Sequence, residues 1–190
     1  ANWRGTKDYD GGIFWNQASH HVDLLEWMMG DVESVFAHAT TALADIEAED
    51  TAVVTVKFKS GALGIIEATT AARPKDLEGS ISVLGEKGSV VIGGFAVNKM
   101  ESWAFEEELE GDNLVLEQFS VNPPNVYGFG HQAYYEHVVE CISGGGKNLV
   151  DGLQGRKSIE LINAIYESVE TGKEVFLRFK PQKIKLGQPI

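Results

Sequence analysis

The feature that most restricts the fold is a change of hydrophobic period at Gly30. From about Ile13 to Met29, Phe14, Ala18, His21, Val22, Leu25 and Met28 or Met29 recur at three- and four-residue steps, the pattern of a helix with one apolar side. Gly30 then stands where a helix-terminating glycine belongs. Beyond it the period is two. "VESVFAHATTAL", "DTAVVTVKFKS" and "ALGIIEATTAA" are rich in Val, Ile, Thr and Ala, and are separated by an acidic stretch and by "SG". They predict three strands, the last two a hairpin.

The same reading carries to the end of the chain. "GSISVLGEKGSVVIGG" predicts a second hairpin around Gly-Glu-Lys-Gly, and "NKMESWAFE" a further strand. "VNPPNVYGFG" is a Pro/Gly-rich surface loop. Tyr134, Val138, Val139 and Ile142 mark a helix that stops at "GGG". Leu153 to Val169 form another, with Ile159, Leu161, Ile162 and Ile165 on its apolar side, and "EVFLRF" is a last strand. Clustered strands flanked by helices predict an α+β fold. The expected architecture is a single open-faced, largely antiparallel mixed β-sheet with helices packed on one face, forming one domain over residues 1–190.

Composition narrows the partners. The chain has 28 acidic residues against 16 basic ones, a net charge of -12, and this field repels nucleic-acid phosphates and anionic lipid. No run approaches the ~20 apolar residues of a membrane span, and no basic-then-apolar signal segment opens the chain. Cys141, the only cysteine, falls in the apolar frame of a helix, so no disulfide closes within the chain and a reducing cytoplasm fits. The chain begins at Ala1, with no element ahead of "ANWRGT", so a piece of a longer protein is expected.

Several motif-like stretches lack the context their chemistry needs. "GFGHQA" at 128–133 has the glycines of a dinucleotide fingerprint, but a Pro-Pro loop precedes it where a buried parallel strand is required. His20, His21 and Asp23 are possible metal ligands by type. Adjacent helical residues point about 100° apart, however, so the two histidines cannot share one ion, and no metal is expected. No serine sits in a nucleophile elbow.

What remains is a constellation on the first helix. Asn16 and His20 are four apart and stack on one helical face, with Asp23 three residues further on the adjoining row. Gly11 and Gly12 stand just ahead, allowing close approach of a ligand or of another backbone, and the Asn16 amide can hold an imidazole in one orientation. The plainer reading is that His20 caps an interface and Asp23 bonds a nearby loop.

"WRGT", "DGG" and "NQASHHVDLLEWMMG", in that order, resemble the opening of the C-terminal domain of the glucose-fructose oxidoreductase / inositol dehydrogenase / MocA family. In that family a Gly-Gly pair precedes a helix bearing Asp or Asn, then His four later and Asp three after it. Gly11-Gly12, Asn16, His20 and Asp23 fall in that register. "LGEKGSVVI" and "VDGLQGRKSIELINAIYESVETGKEV" extend the resemblance over nearly the whole chain. The opening is most similar to UDP-N-acetylglucosaminuronate 3-dehydrogenases.

The resemblance implies a two-domain NAD(P)-dependent dehydrogenase whose N-terminal Rossmann half binds NAD or NADP and contributes a lysine from a Glu-Lys-Pro motif; neither lies in this chain. This chain would be the substrate-binding and oligomerisation domain, with His20 as acid/base for a sugar hydroxyl and Asn16 orienting it. Where many members carry Asp, Asn16 cannot stabilise an imidazolium by charge, so the division of labour between His20 and the lysine stays open. Arg4 would serve the sugar carboxylate or diphosphate, which suits a bidentate guanidinium, with Trp3 beside it among the expected substrate contacts. Gly12, Asp23 and, at the rim, His131 complete the expected substrate contacts. The implied partners are a small-molecule sugar and a second copy of the chain, as homodimer or homotetramer through the sheet face. Another sugar or inositol dehydrogenase, or a non-catalytic sugar-binding or dimerisation module, are the alternatives.

Overall fold

A computed structural model describes residues 5–75, 77, 79–94, 97–123 and 128–178. The chain divides into two compact units, residues 1–71 with 152–190, and residues 72–151.

The first unit opens with α1 (Ser19–Met29), followed by β1 (Val32–Thr40), β2 (Thr51–Phe58) and β3 (Leu63–Thr69). After the second unit the chain returns as α4 (Gly152–Thr171) and β7 (Val175–Phe176). The strands form one antiparallel sheet in the order β3-β2-β1-β7. Alternation does the sorting. In β2, Ala52, Val54, Val56 and Phe58 are buried while Val53, Thr55 and Lys57 face out. Register then builds rows across the inner face, with Ala37 opposite Val54 and Val54 opposite Ile66. Phe14, Val22, Leu161, Ile162 and Ile165 pack on that face, each fully buried side chain contributing about 1.5–3 kcal/mol. Ser168, at the far end of α4, accepts the Ala37 N–H at 3.0 Å and donates to the Lys173 carbonyl at 2.6 Å, so the buried hydroxyl ties helix to sheet.

The second unit holds β4 (Ile81–Leu84), β5 (Gly88–Gly93) and β6 (Lys99–Phe105), then α2 (Asp112–Gln118) and α3 (Gly130–Ile142). Its three strands are antiparallel in chain order. Asp112, at the head of α2, accepts the Trp103 indole N–H at 2.9 Å and the Leu109 amide at 2.7 Å, which fixes that short helix against β6.

The α+β class is as expected, with four differences in detail. The strands divide between two sheets rather than sharing one, and every pairing among the described residues is antiparallel. Period-two patterning marks strands without saying which ladder each joins. The stripe of α3 is uncovered: Tyr134, Val139 and Ile142 are all exposed, and Cys141 is half-buried with its Sγ 3.4 Å from His137 Nε2. Ile159, read as core, is half-exposed, whereas Leu161, Ile162 and Ile165 are buried. Among the described residues no helix is long and apolar enough to cross a membrane.

Candidate functional site

The first helix begins later than its pattern suggests. Residues 13–18 are wound as turns and α1 starts at Ser19, so Asn16 lies before the helix, not one turn below His20 on it. The cause is a widened backbone bond. The Ala18 N–H reaches back five residues to the Ile13 carbonyl at 2.8 Å, which breaks the four-residue repeat before Val22 N–H to Ala18 restores it at 3.0 Å. Ser19 Oγ donates to the Asn16 carbonyl at 3.1 Å, holding Asn16 against the first turn of α1.

The segment leading into the helix is held by acceptors from the acidic stretch that separates β1 from β2. Glu49 accepts the Ile13 N–H at 2.8 Å and the Tyr166 hydroxyl of α4 at 2.6 Å, and Glu47 accepts the Lys7 N–H at 3.1 Å. Asp50, wholly buried, accepts the amides of Ala42, Leu43 and Ala44 at 2.7–2.8 Å. Those bonds hold its carboxyl far below the usual aspartate range, the Ala42 amide contributing most. Burial, and then the bond to Glu49, push the Tyr166 phenol up.

Gly11 and Gly12 both have φ in the left-handed half of the map, +87° and +152°. A Cβ on Gly12 would lie 2.5 Å from both Glu49 carboxylate oxygens and 2.6 Å from the Tyr166 hydroxyl; one on Gly11 would strike Trp15 at 2.8 Å. Close approach at these glycines is thus made within this chain by Trp15, Glu49 and Tyr166. Trp15 stacks on Tyr166, with ring centroids 6.4 Å apart and planes 14° from parallel.

The two histidines separate cleanly. His20 is exposed in the first turn of α1, while His21 turns inward, its Nε2 buried with no hydrogen-bond partner. Burial, reinforced by His20, lowers the His21 pKa. Asp23, one turn on, accepts a hydrogen bond from Ser158 Oγ of α4 and so joins the two helices. Asn16 Nδ2 donates to Asp10. His131 is exposed in the first turn of α3, in the second unit. Trp3 and Arg4 lie outside the described residues.

Residues 1–177 match the model of the oxidoreductase family, C-terminal alpha/beta domain. The chain belongs to that family. It is 30% identical over 182 residues to myo-inositol 2-dehydrogenase of Thermotoga maritima, covering 88% of this chain and 49% of that protein. It is also similar to the WlbA dehydrogenase from Bordetella pertussis in complex with NADH and UDP-GlcNAcA, at 44% identity and TM-score 0.86, over 95% of this chain and 52% of that one. The WlbA dehydrogenase of Chromobacterium violaceum, with the same two ligands, gives 47% identity and TM-score 0.84 over 95% and 50%. The chain spans about half the length of these family members.

Asp10, Glu49 and Tyr166 were not legible as site residues, because no spacing in the sequence signals which carboxylate meets which amide. The cleft of about 40 Å³ lined by Glu26, Asp31, Lys59, Lys157 and Glu160 lies toward the other end of α1 from His20 and is separate from this constellation.

Proposed function

We propose that this domain is the substrate-facing part of an NAD(P)-dependent dehydrogenase that oxidises a sugar hydroxyl, with C3 of a UDP-linked N-acetylglucosaminuronate as its substrate, acting in the cytoplasm. The observation that carries this reading is an exposed His20 at the head of α1, flanked by an Asn16 whose amide is already held by Asp10. Identity of 44–47% to dehydrogenases solved with UDP-GlcNAcA, against 30% to an inositol dehydrogenase, favours the nucleotide sugar over the polyol.

The dinucleotide does not fit the described residues of this chain. Their sheets are antiparallel, and among the described residues no parallel strand leads into a helix, so no strand-to-helix turn there offers its amides to a pyrophosphate. NAD or NADP is held outside these residues, as is the lysine that the family resemblance implies. Within this chain, His20 takes the hydroxyl proton, Asn16 orients it, and Trp3, Arg4, Gly12, Asp23 and His131 serve the substrate or its rim. Gly12 does so indirectly, by letting Glu49 and Tyr166 close beneath the loop.

A second copy covers the outer face of the β3-β2-β1-β7 sheet, where Leu63 and Ile65 are 79% and 72% exposed beside a half-exposed Val53. In the full-length protein, His20→Ala should lower the single-turnover rate of NADH formation at saturating sugar by about 10²- to 10⁴-fold, with less effect on sugar affinity. An unchanged rate constant would overturn the role given to His20.

A further inference from the structure

We propose that Asp10 is a positioning residue that sets the polarity of the site by dictating which end of the Asn16 amide is presented to it. The proposal rests on the assignment of His20 and Asn16 to sugar-hydroxyl chemistry. An aspartate at position 16 would always be an acceptor. Asparagine carries an acceptor and a donor at opposite corners of one planar group, so the same position is ambiguous until a neighbour chooses.

Asp10 is built to make that choice. Its own N–H bonds the Thr6 carbonyl at 3.0 Å, as the Gly11 N–H does at 3.2 Å, which closes residues 6–11 into a tight loop. One carboxylate oxygen accepts the Gly5 N–H at 2.7 Å, and the other accepts Asn16 Nδ2. Lys7 N–H on Glu47, and Ile13 N–H on Glu49, fasten both ends of the loop to the stretch before β2. The carboxylate can only accept, so the Asn16 corner facing it is the NH₂, and the carbonyl Oδ1 is the corner turned away. Asn16 Oδ1 has no hydrogen-bond partner among the described residues.

An acceptor presented there can hold an imidazole N–H or a sugar hydroxyl. Holding the imidazole N–H leaves the other ring nitrogen's lone pair for the substrate proton. Asp10 also sets a carboxylate one hydrogen bond behind the amide. Asparagine at 16 with aspartate at 10 therefore reproduces, in two residues, the fixed acceptor that a single aspartate provides.

Asp10→Asn tests this with little change of volume. Its oxygen must still receive the Gly5 N–H, so its NH₂ faces residue 16 and turns the Asn16 amide over, presenting a donor where an acceptor stood. In the full-length dehydrogenase, single-turnover NADH formation should fall about 10- to 100-fold while sugar affinity changes little. The exchange of partners, Asp10→Asn with Asn16→Asp, places the donor at 10 instead of 16, restores the acceptor that residue 16 presents, and should return the rate to within a few-fold of the parent. A role confined to shaping the loop predicts no such rescue.

In this chain, labelled with ¹⁵N, the Asn16 side-chain amide pair should shift on Asp10→Asn. An unaltered rate in Asp10→Asn, or a slow variant that the exchange fails to rescue, overturns the proposal. His20→Ala, measured alongside, separates the two readings: a slow His20→Ala with a normal Asp10→Asn removes this inference alone. A normal His20→Ala removes the functional assignment, and the amide shift still decides whether Asp10 holds Asn16.

Discussion

Replacing Glu26 by glutamine should abolish a pH dependence of stability that the chain carries between pH 4.5 and about 7. Glu26 is on the last turns of α1, only 9% exposed, and its Oε2 is buried without a partner. Lysine is close at hand but already committed, since Lys157 bonds Asp31 at 2.8 Å and Lys59 bonds the other oxygen of Asp31 at 3.2 Å. Burial therefore dominates. Lys157 pulls the Glu26 pKa down, Asp31, Asp23 and Glu160 push it up, and the net result is a rise from 4.5 to about 7.

The sign follows from proton binding. The folded state holds the Glu26 proton more tightly than the unfolded state, so stability from this group is fully present below pH 4.5 and is lost as pH rises through about 7. At about 1.4 kcal/mol per tenfold in proton affinity, the whole effect is roughly 3 kcal/mol, of which about 2 kcal/mol falls between pH 5.5 and 8.5. The lower bound keeps clear of the isoelectric point near 4.8. Urea unfolding of the chain and of Glu26→Gln at both pH values isolates the group, because every other titrating residue cancels in the difference. The variant should gain about 2 kcal/mol on the parent over that interval. Parallel curves would refute the reasoning, showing that Glu26 finds a partner or water when it ionises.

Gly12→Ala should destabilise the chain by about 1–3 kcal/mol, since the new methyl meets the Glu49 carboxylate and the Tyr166 hydroxyl at a φ of +152°; unfolding by urea reads this, and a neutral variant would dismiss the clasp. At the sheet face, Ile65→Lys should convert a dimer into a monomer in light scattering at micromolar concentration, given about 1.5–3 kcal/mol for each apolar side chain left uncovered; a monomeric parent chain would refute the docking role of that face.

How much of this was readable beforehand follows the range of each interaction. Helices and strands announce themselves through repeats within ten or so residues, so α1, α4 and the β2–β3 and β4–β5 hairpins were legible, the last down to its Gly-Glu-Lys-Gly turn, where Gly85 N–H meets the Gly88 carbonyl at 2.8 Å. The seven residues of α2 are too few to show a period, and the start of α1 hid because an Ala18-to-Ile13 bond preserves the look of a helical pattern while breaking its repeat. His20 is a candidate by residue type, spacing and family resemblance. The bonds that fasten the loop before it left no such trace in the sequence. "DIEAED" reads as a solvated acidic run, yet Glu47, Glu49 and Asp50 each bond backbone amides distant in the chain or across a loop. A carboxylate's partner is decided by which amide the fold brings within 3 Å, and no local pattern records that. The glycines show the consequence. Two glycines before a helix state that something comes close, and only the folded chain says that here it is Glu49, Tyr166 and Trp15. Under the proposed function a ligand would meet a loop already fastened from beneath, so substitutions at Asp10 and Gly12 should act on His20 through that loop without touching it.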